Sequence, residues 1–154
     1  MQTDLSPYLS HPVFKVIKKH LEDNNDSAYV IGGFVRDLLL DKKSKDIDIV
    51  VYGDGLEFAK NIAKILRVQK VSLFKTYGTA HFKYKDIDVE FVSARKESYS
   101  KNSRNPKVSP GTLKDDQYRR DFTINALAIN LHPDHFGNLI DPFKGSTDLE
   151  KGLI

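Results

Sequence analysis

The chain has 154 residues, enough for one domain with a full core and too few for two of ordinary size. Apolar residues make up 40% and charged residues 29%, which excludes a disordered chain, and no apolar run approaches the ~20 residues that span a membrane. The net charge of +3 is too small to mark a nucleic-acid binder by itself, and the absence of cysteine excludes disulfides and cysteine-ligated zinc while agreeing with a cytoplasmic setting.

The first ten residues read as an irregular lead-in, with neither the basic region nor the apolar run of a secretory signal. From His11 to about Asp23, the apolar positions Val13, Phe14, Ile17 and Leu21 recur at helical spacing. Ala28–Ile31 is a short apolar strand. Gly32 and Gly33 break it, and FVRDLLL makes about two helical turns. Asp46–Tyr52 alternates and then turns apolar, as a buried strand does. An amphipathic helix follows Gly53-Asp54-Gly55, and Val68–Phe74 is the next strand. Thr79–Tyr84 and Ile87–Ala94 form an antiparallel hairpin around a Lys85-Asp86 turn.

Lys96–Gly111 is polar and aperiodic and is expected to be a mobile loop. Thr112 starts a helix to about Arg120, followed by an apolar piece, helical or extended, from Phe122 to Leu131. HPDHFGN is a turn, Leu139-Ile140 a short strand, and Gly145–Ile154 the start of a helix. The basic runs Lys42, Lys43, Lys45 and Lys96, Lys101, Arg104, Lys107 read most simply as solvated loops.

Three groups of residues carry chemistry. Asp46 and Asp48 are two apart on a strand, so they share a face about 6.6 Å apart along the chain. Two hard carboxylates at that spacing suit Mg²⁺, or a pair of ions roughly 4 Å apart. Gly32 and Gly33 at a helix start suit a phosphate, because glycine admits close approach and free N–H groups favour anions. Arg119-Arg120 suits phosphate oxygens or the faces of bases.

Each group alone has a plainer reading: polar residues on a strand, an ordinary strand-to-helix turn, and basic residues at a helix end. A second Asp-Ile-Asp, at 86–88 and followed by Glu90, competes with the first. The 46/48 pair is preferred because it follows the glycine turn directly, whereas Asp86 falls in the hairpin turn. If the two strands are neighbours, Glu90 joins Asp46 and Asp48, a cluster whose repulsion a cation would relieve. No histidine cluster has ligand spacing, and His81 reads as a packed or hydrogen-bonded strand residue.

Taken together, GGFVRDLLL followed by KDIDIVV resembles the GGxVRD–LL–DxD signature of the tRNA nucleotidyltransferase and bacterial poly(A) polymerase family, class II of the polymerase-β-like superfamily. DVEFVSAR is similar to that family's carboxylate-bearing strand ending in arginine. DDQYRRDFTINALAIN resembles its RRDFTINA motif, and LIDPFKGSTDLEKGLI the end of its head domain. The resemblance covers nearly all of 28–154, leaving 1–27 as lead-in and helix.

The resemblance implies an α+β nucleotidyltransferase head, a small mixed, mainly antiparallel sheet flanked by helices. It implies that Asp46, Asp48 and Glu90 are the catalytic, metal-holding carboxylates, with Mg²⁺, two ions, as cofactor. Gly32, Gly33, Arg36 and Arg120 are the expected nucleotide-binding residues. Asp37, Arg95 and Arg119 are secondary candidates, Asp37 in a structural pairing role. The implied reaction adds CMP or AMP from CTP or ATP to an RNA 3′ end, tRNA above all, with release of pyrophosphate.

CCA addition, A-only addition and poly(A) synthesis stay open. So do transfer to a small molecule or protein, which the RRDFTINA motif disfavours, and a non-catalytic RNA- or nucleotide-binding module. The neck, body and tail domains of the family are absent from this chain, and Ser146–Ile154 reads as an entry into further structure, as in an excised domain. Such a head alone is expected to bind Mg²⁺-nucleotide weakly and to extend tRNA poorly.

Overall fold

Period-two alternation gives the strands of this chain one apolar face and one polar face. A computed structural model describes residues 3–24, 26–98, 107–110, 127–141, 144–145, 147 and 151–152, with the backbone alone at 95–98 and 107–110. Its strands are β1 Ser27–Ile31, β2 Asp46–Tyr52, β3 Val71–Phe74, β4 Thr79–Tyr84, β5 Ile87–Ser93, β6 Arg95–Ser98, β7 Lys107–Pro110, β8 Ala128–Asn130 and β9 Leu139–Ile140. Its α-helices are α1 Pro12–Glu22, α2 Gly33–Leu39 and α3 Gly55–Ile65.

Seven strands form one sheet in the order β3-β4-β5-β2-β1-β8-β9. β2 runs parallel to β5, and every other pairing in the sheet is antiparallel. The expected α+β architecture with a mixed, mainly antiparallel sheet is what the chain adopts.

One face is closed by helices. Val30 of β1, Ile47, Ile49 and Val51 of β2, Phe82 of β4 and Val89 and Phe91 of β5 are all buried there in a single core. α1 adds Val13, Phe14, Ile17 and Leu21, and α3 adds Phe58, Ala59, Ile62 and Ala63. Aromatic rings join the layers: His20 to Phe58 at 5.0 Å, Phe58 to Phe91 at 5.9 Å and Phe91 to Phe82 at 5.5 Å between centroids.

Both long helices are capped by side chains. His11 Nδ1 accepts the Val13 N–H at 3.2 Å, and Asp54 Oδ1 accepts those of Leu56 and Glu57 at 3.0 and 3.2 Å. Gly55 lets α3 start hard against β5. Its N–H donates to Ser93 Oγ at 2.8 Å, and a Cβ there would lie 2.8 Å from both the nitrogen and the hydroxyl of Ser93.

The lead-in holds a 3₁₀ turn, Ser6–Tyr8, and is tied to the far edge of the sheet. The Leu5 N–H donates to the Gly137 carbonyl at 2.7 Å and the Leu139 N–H to the Thr3 carbonyl at 3.1 Å, while Leu5 and Leu9 join the core.

Some elements differ from their expected form. The third strand begins at Val71 rather than Val68, because Leu66 to Val68 still bond back to α3 as its C-terminal turn. The polar stretch after Ala94 is not wholly loop: β6 and β7 pair as an antiparallel ribbon, from Arg95 opposite Pro110 to Ser98 opposite Lys107. Neither of its runs alternates apolar with polar residues, so no apolar period announces it. The rest of the expected mobile loop, the helix from Thr112 and most of Gly145–Ile154 lie outside the described residues. Among the described residues, no helix is long and apolar enough to cross a membrane.

Candidate functional site

The other face of the sheet carries the polar residues of the same strands. Parallel pairing puts Asp48 of β2 opposite Glu90 of β5, and Asp46 opposite Asp88. Neighbouring strands lie about 4.8 Å apart, so Asp48 and Glu90 stand side by side. The row continues in both directions: Ile31 of β1 lies opposite Asp48, His81 of β4 opposite Glu90, and Ser72 of β3 opposite His81. Asp46 and Glu90 are exposed, and Asp48 and Asp88 are half-buried.

The expected neighbourhood of Glu90 with the 46/48 pair is therefore present at the level of register. Asp88, set aside by sequence as part of a competing triplet, stands on the same face. It is held by His81, whose Nε2 lies 3.1 Å from Asp88 Oδ1, so His81 is hydrogen-bonded as expected. Asp86 falls in the β4–β5 turn.

Among the described residues, no group of three or more His, Cys, Asp or Glu side chains forms a ready metal site. Asp46, Asp48 and Glu90 share a face without making a complete ligand set. The donor chemistry nevertheless fits Mg²⁺, which takes one or two carboxylates and completes its octahedron with phosphate oxygens and water. Asp48 and Glu90, adjacent across two strands, are such a pair.

The glycine turn abuts this row, because Gly32 follows Ile31 directly and Ile31 is the partner of Asp48. Gly32 has φ 81° and ψ −138°, a conformation open to glycine alone. Its N–H donates to the Leu127 carbonyl at 3.2 Å, and its carbonyl accepts the Arg36 N–H at 3.1 Å. The space where Gly33 lacks a Cβ is bordered by the Arg36 guanidinium, 3.3 Å from the ideal Cβ position. Arg36 Nε in turn donates to Asp37 Oδ1 at 3.1 Å. Asp37 thus makes a pairing contact, and with an arginine beside it in sequence.

Arg95 lies in β6, where only the backbone is described, and Arg119 and Arg120 lie outside the described residues. Leu127, seven residues beyond Arg120, reaches the glycine turn through its carbonyl.

Beyond the carboxylates the open face becomes apolar. Ile31, Val50, Ala94 and Ala128 form a small buried cluster with Tyr29 and Ile140 against it. Burial, and behind it the nearby Tyr52, hold the Tyr29 phenol above its usual pKa.

The family profile described as poly A polymerase head domain matches residues 28–154. The A-adding tRNA nucleotidyltransferase of Aquifex aeolicus is 46% identical over 127 residues, which are 82% of this chain and 15% of that protein. A CCA-adding enzyme in its apo form II superposes over 99% of this chain and 38% of its own, with a TM-score of 0.85 and 41% identity. A tRNA nucleotidyltransferase solved with a primer tRNA and an incoming ATP analogue matches 87% of this chain and 36% of its own, with a TM-score of 0.75 and 39% identity. This chain thus spans well under half the length of each of these proteins.

Proposed function

This chain belongs to the poly A polymerase head domain family, and from that premise we propose that it is the catalytic head of a template-independent RNA nucleotidyltransferase. It transfers AMP or CMP from ATP or CTP to an RNA 3′ end, with tRNA as the favoured acceptor. The observation that carries this reading is the Asp48–Glu90 pair, in register on the open face and one strand away from the Gly32-Gly33 turn. The compartment we assign is the cytoplasm.

Asp46, Asp48 and Glu90 are the carboxylates we assign to metal, with Mg²⁺ as the ion and two ions as the count. Bound there, Mg²⁺ would lower the pKa of the acceptor hydroxyl and neutralise charge on the triphosphate and the departing pyrophosphate. The residues themselves position the reactants. The turn backbone at Gly32 and Gly33 gives a triphosphate room for close approach. Arg36, steadied by Asp37, places a fixed charge beside it, and Arg120 is assigned the same role from its motif.

The RNA 3′ oxygen then bonds to the α-phosphorus, the bond to the bridging oxygen breaks, and pyrophosphate leaves. Positioning and charge neutralisation supply most of what such a transfer needs. Choice of the incoming base we assign to a neck domain rather than to these residues.

Two observations bear on alternatives. The Aquifex aeolicus relative is an A-adding enzyme, which favours ATP as donor. A binding module without catalysis has no need of a line of carboxylates that repel one another, and this disfavours the non-catalytic reading. The test is incubation of the full-length protein with tRNA lacking its 3′ end, Mg²⁺ and labelled ATP or CTP. We expect incorporation with stoichiometric pyrophosphate. No incorporation of either nucleotide would overturn the proposal.

A further inference from the structure

The row of side chains that contains Asp48 and Glu90 does not stop at the carboxylates. It passes through His81 to Ser72 on β3, the edge strand of the sheet, and there opens into a groove of about 680 Å³. Arg67, Gln69, Lys70 and Lys83 border the groove with these residues. Its charge is one-sided. Arg67, Lys70 and Lys83 are exposed, and none pairs with a carboxylate among the described residues. The one carboxylate on the wall, Asp88, is already bonded to His81.

The backbone adds a second sign. Arg67 follows α3 with φ 59°, the left-handed conformation that a helix end usually gives to glycine. A long cationic side chain therefore occupies a position where the backbone favours having none. The groove holds donors and cations, from Ser72, Gln69, His81 and the three basic residues, and lies one strand spacing from Glu90.

We propose that this groove holds the sugar–phosphate backbone of the acceptor RNA just upstream of its 3′ end, leading that end across His81 to the carboxylates. The inference rests on the nucleotidyltransferase reading above. It adds a path for the strand, over the β3–β4 edge, and names the residues that grip it. Exposed cations that no carboxylate pairs with among the described residues gain by displacing counterions from a phosphodiester strand.

The test is a triple variant, Arg67→Gln, Lys70→Gln, Lys83→Gln, set against Lys15→Gln, Lys19→Gln, Lys64→Gln, which removes the same charge from the helix side. Binding is measured with a short fluorescein-labelled single-stranded RNA ending in CC, across a salt series. Nucleotide addition to the same RNA is measured alongside. The groove variant should bind roughly tenfold more weakly or worse, and its log–log salt slope should fall by about 2, near 0.7 per lost phosphate contact. Its KM for RNA should rise about as much, with kcat and the KM for nucleoside triphosphate unchanged.

If both triple variants lose affinity equally while nucleotide addition persists, the groove is not the path and the nucleotidyltransferase reading stands. If the unaltered protein adds no nucleotide to any RNA, that reading falls and the path falls with it. All six positions are exposed, and a matched thermal midpoint separates loss of binding from loss of fold.

Discussion

The two faces of the central sheet are built from the same strands and do opposite things. Along β2, Ile47, Ile49 and Val51 go to the helix side and are fully buried, while Asp46 and Asp48 go to the open side. Along β5, Val89 and Phe91 go in, and Asp88 and Glu90 go out. One face gains stability from burial; the other spends stability on like charges held in a row. A single residue of register slip would exchange the two faces, so the core that fixes the register also fixes the site. Substitutions on the open face should therefore change chemistry without loss of fold, and those on the helix face the reverse.

The largest effect is expected at Asp48. Asp48→Asn keeps the size of the side chain and removes its charge. Nucleotide incorporation should fall at least a thousandfold, about 4 kcal/mol of transition-state stabilisation. The thermal midpoint should stay close to that of the unaltered protein, because the side chain keeps its size. Asp88→Asn makes the contrast within the same face. Asp88 is engaged by His81, and its loss should reduce activity less than tenfold. Equal losses from the two variants would show that the choice between the acidic triplets is mistaken.

On the other face, Phe91→Ala should lower stability by about 3–5 kcal/mol, since Phe91 is fully buried between Phe58 and Phe82. Urea unfolding reads this directly. Where the variant is still folded, its kcat should match that of the unaltered protein, and a selective loss of kcat would break the division between the faces. Gly55→Ala should cost less, roughly 1–3 kcal/mol, by forcing a methyl group against Ser93. A change within the error of the unfolding curve would mean that α3 shifts freely on β5.

Local pattern made much of this visible in the sequence. Alternation gave β2 its observed bounds, Asp46–Tyr52, and the apolar spacing of Val13, Phe14, Ile17 and Leu21 gave the buried stripe of α1. The β4–β5 hairpin followed from two alternating runs and a tight turn. The parallel pairing of β2 with β5 was legible only as a condition, because the partners lie far apart in sequence and nothing local encodes which strands meet. The β6–β7 ribbon has no signal in the sequence because neither Arg95–Ser98 nor Lys107–Pro110 alternates apolar with polar residues. Arg67 carries no signal in the sequence, since its left-handed backbone cannot be read from residue type. For His81 the sequence left packing or hydrogen bonding open, and its partner Asp88 emerged only with the strand register.

The smallest expected effect lies at the start of the helix layer and is pH-dependent. His11 caps α1 through Nδ1, which can accept the Val13 N–H only while unprotonated. Burial, and after it the charge of Lys85, hold the His11 pKa below its usual value. The unfolded chain therefore binds a proton at this histidine more readily than the folded one, so stability rises with pH across this range. Its contribution is whole above the ordinary histidine pKa of about 6.5 and is lost as pH falls through the folded value. His11→Ala should cost about 1 kcal/mol at pH 7.5, as a lost N-cap does. His11→Asn keeps a cap that does not titrate, and should remain near the parent at pH 7.5 and exceed it at pH 5.5. Urea midpoints at the two pH values decide the matter. Parallel pH profiles of parent and variant would remove His11 as the source.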